Sequence, residues 1–245
     1  MASKSEVGHA INIANLETLN SYNTALGIKY NPNNGNIRID KMQVLHTRSY
    51  GEQGIVNAAI APYSVAVDAR EIIFAPLNKN LTKLKKAFQA TEGVGPKEME
   101  DLDTIIRLLK GERKPGDNKE KTPEELANQH SVSQLSYIKR NNNMDLLIAL
   151  LENTPNYRPN EDEFKVATYR NWKLRMNDST TQVNNTFITL NTARSNRNKT
   201  LYTNPDNLVD TANTSRNYSL SILETNSPEY KAIFRIKFQK PYGYK

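Results

Sequence analysis

The sequence predicts an all-α protein: a tandem duplication of a roughly four-helix bundle unit, each copy holding one long helix. Three observations predict it. The turn Tyr30-Asn31-Pro32-Asn33 returns 127 positions later as Tyr157-Arg158-Pro159-Asn160. At that same offset Ile37, Ile39, Arg48, Val56, Asn57, Ala66, Arg70, Asn80 and Leu81 fall on Phe164, Val166, Arg175, Val183, Asn184, Ala193, Arg197, Asn207 and Leu208. Hydrophobic content is 37% and mean hydropathy −0.70, which suits helices that each need only one narrow apolar stripe. Shared turn, shared offset and shared stripe together read as an internal repeat.

The first helix starts at Ser5 as N-cap, with Val7, Ala10, Ile11, Ala14 and Leu19 at helical spacing, and closes near Gly27. Asn31 to Gly35 is a turn, and Asp40 is the expected N-cap of a helix over about 40–75. Its stripe is Met42, Leu45, Val56, Ile60, Tyr63 and Phe74. Gly51, Gly54 and Pro62 predict a kink or break, since proline removes a backbone donor and crowds the preceding turn. A shorter helix follows Pro76, and Pro96 opens the next one, with Met99, Leu102, Ile105, Ile106 and Leu109 inward.

Residues 111–129 read as a charged linker without apolar period, separating a first repeat (1–110) from a second (130–245). The second repeat opens with a helix from about Ser133 to Asn153, with Leu135, Ile138, Leu146, Leu147 and Leu150 inward. Its long helix is expected over 162–203, with Tyr169, Trp172, Met176, Val183, Phe187, Leu190 and Leu201 as the stripe. Asn207 begins another helix, and Ser227-Pro228 caps the last.

The opening Ser3-Lys4-Ser5-Glu6-Val7-Gly8-His9-Ala10, the Tyr-x-Pro-Asn turn and Asp68-Ala69-Arg70-Glu71 resemble a family of helical proteins from flavobacteria and related Bacteroidetes to which no activity is assigned. The resemblance spans most of the chain. It implies the helical architecture and no catalytic residues.

Chemistry is sparse. Without cysteine there is neither a disulfide nor a thiolate site. Glu6-Val7-Gly8-His9 is a lone Glu-x-x-His, and its duplicate reads Gln134-Leu135-Ser136-Tyr137, so a di-iron ligand set is not expected. His9, His46 and His130 share no helical pairing. No catalytic, cofactor or metal residue is therefore assigned.

Arg70 and Arg197 fall on the apolar stripe near the ends of the long helices. A buried guanidinium needs an acceptor. It either bonds helix-end carbonyls or a neighbouring carboxylate, or the pair holds an anionic ligand. Lys79, Lys83, Lys85 and Lys86 form a basic patch, with Arg113, Lys114, Lys119 and Lys121 in the linker. Net charge is +7, which fits a solvated surface better than a nucleic-acid footprint because no aromatic interleaving accompanies it.

The expected function is a non-enzymatic scaffold, assembly or interaction protein whose partner is another protein or itself. The alternative is a polyanion-binding module using the basic helix ends and Arg70/Arg197. No signal-like start and no transmembrane run occur, so the expected location is the cytoplasm.

Overall fold

The computed structural model describes residues 4–112, 129–241 and 243–244. Most of the expected linker, with Arg113, Lys114, Lys119 and Lys121, lies outside them. Among the described residues every regular element is helical: α1 (Lys4–Ala25), α2 (Ile39–Phe74), α3 (Leu77–Gln89), α4 (Pro96–Lys110), α5 (Gln129–Asn153), α6 (Val166–Asn198), α7 (Leu208–Ser221) and α8 (Pro228–Arg235). None of these is long and apolar enough to cross a membrane.

Local chemistry sets the ends. Glu98 Oε2 accepts the Gly95 N–H at 3.0 Å behind Pro96, and Gly111 closes α4 at φ 72°. That left-handed angle carries no steric cost for glycine. Asn207 caps α7 through the Asp210 N–H at 3.0 Å, and Ser227 caps α8 through the Tyr230 N–H at 3.1 Å. Asp40 is not the cap of α2. It lies inside the first turn, behind Arg38, whose backbone is extended. There its charge still favours the helix start.

α2 runs through Pro62 without a break. Pro62 and Ala58, whose carbonyl loses its partner, both face solvent, so water takes the place of the missing donor. The second long element is shorter than expected as an α-helix. It begins with a 3-10 turn at Asp162–Phe164, and α6 passes at Lys199–Thr203 into a π turn. This wider turn carries Thr200, Leu201 and Tyr202, all three buried.

Two compact units result, the first built from both ends of the chain and the second from its continuous middle. The first comprises residues 1–62 and 187–245, the second residues 63–186. The division into 1–110 and 130–245 describes order along the sequence, whereas the units cut across both stretches. In the first unit α7 packs on α1 and α8. Its core joins Ile13, Leu16, Leu19, Met42 and Leu45 to Leu201, Leu208, Ala212, Ile233 and Phe238. In the second, α4 packs on α3 and α5. There Phe74, Leu81, Leu84, Phe88 and Leu102 meet Met144, Leu147, Tyr157, Tyr169 and Met176. Ile138 and Leu146, expected inward, are about half exposed at 41% and 48%. Leu147 is buried and Leu150 partly buried as expected, and Met144, Ile148 and Leu151 complete the seam of α5; the side chain of Leu135 lies outside the described residues.

Candidate functional site

Arg70 and Arg197 are buried, as their stripe position implies, at 4% and 2% exposure. Their surroundings differ. In the first unit Arg197 donates through Nε and Nη2 to Asn198 Oδ1 at 3.1 and 3.0 Å, and reaches Gln53 Oε1 at 3.5 Å. In the second unit the Arg70 guanidinium lies 4.0 Å from the centre of the Tyr137 ring, with Nε and Nη1 lacking hydrogen-bond partners. Each arginine has its own neighbours, so no shared anion site is built from them.

The contrast predicts opposite responses. Arg197→Met strands the Asn198 and Gln53 oxygens and is expected to cost about 1–3 kcal/mol. Arg70→Met gives up a cation–π contact of roughly 1–2 kcal/mol but releases a buried charge with unpaired donors, and keeping that charge out of water costs more than the contact returns. It is expected to leave stability unchanged or raised. Paired urea titrations check this, and an Arg70→Met variant less stable than Arg197→Met refutes it.

The lysine patch does not act as one surface. Lys85 is tied to Asp103 at 2.6 Å, and Lys86 points to solvent. Lys79 and Lys83, four residues apart on α3, instead line a cleft of about 460 Å³ inside the second unit. Ile72, Ile73 and Pro76 form its apolar side; Thr168, Asn171, Trp172 and Arg175, on one face of α6, form the other. Glu163 completes the rim and takes both its oxygens to Lys83 Nζ, at 3.1 and 3.2 Å.

The walls are held from behind. Trp172 donates its indole N–H to Ile73 O at 2.9 Å, and Tyr169 donates its hydroxyl to Asn80 Oδ1 at 2.7 Å. Burial pushes the Tyr169 hydroxyl well above the ordinary phenol range. Tyr157 and Tyr30 are raised for the same leading reason. All three are neutral donors at physiological pH, and the hydroxyls of Tyr30 and Tyr157 fix turns by bonding Ile37 O and Phe164 O, each at 2.7 Å.

His9 is buried, not superficial, with Nδ1 2.6 Å from the Tyr202 hydroxyl. Among the described residues no three His, Cys, Asp or Glu side chains gather as a metal would require. The side chains of Glu6 and His130 lie outside that set.

Sequence reasoning missed Trp172, Arg175 and Glu163 as neighbours of Lys79. The available signal was the single tryptophan, read only as core, one helical turn from an arginine. No family model matches the chain, and no curated protein or solved structure is significantly similar to it.

Proposed function

We propose that the chain is a non-enzymatic helical scaffold that assembles with a second copy of itself through the outer face of α2. One observation carries this reading. Within the first unit Val44, Gly51, Ile55, Ala58 and Pro62 recur at helical spacing and are all exposed, Val44 at 64% and Ile55 at 56%. A helix so apolar on its outer face leaves a stripe that water does not favour.

The one charge at this spacing, Arg48, is already paired with Asp206, so a charged partner finds little to complement, and the small residues permit close helix approach. At 36 residues α2 is about 54 Å long. The stripe of the first unit covers roughly half of that length, so a strip roughly 10 Å wide offers roughly 300 Å² per copy, the size of a weak, reversible contact. The expected result is a reversible dimer. Light scattering over a concentration series should show mass rising from 27.8 kDa towards twice that. Ile55→Asp, at an exposed position, should hold the chain monomeric without lowering its melting temperature. A wild-type chain that stays monomeric at the highest concentrations overturns the proposal.

The tandem duplication belongs to the same reading, with the two copies exchanging their ends. What supports it is that one set of joints occurs twice, each time linking a residue from one half to a residue from the other. Tyr30 bonds Ser215 Oγ at 2.8 Å, and the Tyr157 ring meets Phe88, 127 positions before Ser215. The His9 ring lies 5.5 Å from that of Tyr202, and the Tyr137 ring 4.7 Å from that of Phe74, an offset of 128 on both sides. Asn12 donates to Gln239 O at 2.8 Å, and Arg140, 128 positions on, donates to Lys110 O at 3.0 Å. The resemblance to helical Bacteroidetes proteins fits this architecture and adds no activity. A cytoplasmic location is part of the proposal.

A further inference from the structure

We propose that the cleft of the second unit binds a small organic anion, with its phosphate or carboxylate between Lys79 and Arg175 and a flat apolar body against Trp172. This goes beyond self-assembly and does not depend on it.

The argument starts from charge. Lys79, Lys83 and Arg175 enter the cleft against one carboxylate, Glu163, which Lys83 already holds. Lys79 and Arg175 have no ion pair among the described residues. Two cations facing one space repel, and an anion between them converts that repulsion into two charge-assisted bonds.

The first unit supplies an internal comparison. At an offset of 127, Arg175 corresponds to Arg48 and Lys79 to Asp206. There the two are joined directly, Arg48 Nη2 to Asp206 Oδ2 at 2.9 Å. Where one unit carries its own counterion, the other carries a lysine. The tryptophan differs in the same sense, since its counterpart is Leu45, which is buried in the core. Because the Trp172 N–H is committed to Ile73 O, the ring offers the cleft an apolar surface and no donor. A volume of about 460 Å³ is within the roughly 300–1,000 Å³ typical of small-molecule sites.

Trp172 is the sole tryptophan, so the fluorescence of the unaltered chain reports on the cleft. Titration with adenosine monophosphate should change it saturably. Inorganic phosphate should compete more weakly, and adenosine should bind at least about tenfold less tightly than its monophosphate. Lys79→Asp recreates the ion pair of the other unit. It should weaken binding of adenosine monophosphate by at least about tenfold while the helical circular dichroism and melting temperature hold. Lys86→Asp makes the same charge change outside the cleft and should leave affinity unchanged. The proposal fails if adenosine monophosphate gives no saturable change up to about 10 mM. It also fails if Lys79→Asp and Lys86→Asp weaken binding equally, or if only long single-stranded RNA produces a signal.

Discussion

Tyr169→Ala is expected to cost about 3–5 kcal/mol, the usual range for removing a fully buried aromatic side chain. Tyr169 has no exposed surface. Its ring lies parallel to Trp172, with centroids 6.4 Å apart and planes within 18°. Its hydroxyl satisfies Asn80 Oδ1 at 2.7 Å, so truncation both opens a cavity and strands an acceptor. Tyr169→Phe keeps the ring and loses only the bond, so about 1 kcal/mol is expected. In a domain of this size 4 kcal/mol corresponds to a drop of roughly 8–16 °C in melting temperature. Urea unfolding followed by Trp172 fluorescence separates the two variants. Equal losses for Ala and Phe would show that the hydroxyl, and not packing, holds the second unit together.

That Tyr169 is buried was legible in the sequence, and so were most members of its stripe. Met42, Val56, Phe74, Met176, Val183, Leu190 and Leu201 are all buried as their spacing implies. Helical spacing reports which face turns inward because that depends only on neighbours along the chain. It does not report what the face meets. A stripe on α6 reads the same whether it packs on its own half of the sequence or on the other, which is why cores that draw on both halves were not visible. The basic patch failed for a related reason. Lys79, Lys83 and Lys86 share a face at i, i+4 and i+7, but Lys86 falls a turn beyond the cleft, while Lys85 lies further around the helix against Asp103. The unbroken run through Pro62 was not legible, because the cost of a proline depends on whether the orphaned carbonyl reaches water, a property of the tertiary fold. Burial of Arg70 and Arg197 was readable from position, but their partners, a tyrosine ring and two side-chain amides, were not.

Cores that each join both halves of the sequence have a consequence that a simple tandem arrangement lacks. With a protease site inserted between Lys114 and Pro115, cleavage of the folded chain should leave residues 1–112 and 129–245 bound to each other. Both cores require both pieces. Separation would strip Phe74, Leu81, Leu84 and Phe88 from Met144, Leu147, Tyr157 and Tyr169, and Leu16, Leu19 and Met42 from Leu201, Leu208 and Ile233. Fully burying a large apolar side chain is worth about 1.5–3 kcal/mol, so even ten such residues represent roughly 15–30 kcal/mol. Association costs about 4–15 kcal/mol in lost freedom, and less shows in practice because isolated pieces collapse on themselves. A dissociation constant in or below the nanomolar range is expected, seen as a single one-to-one species on gel filtration of micromolar cleaved protein. Two halves that each closed their own core would instead separate on cleavage and keep their helicity. Helical fragments eluting apart would therefore refute exchange while leaving duplication standing. Fragments that unfold once parted under denaturant, and regain helicity only when remixed, would support it, because neither piece alone holds a complete core.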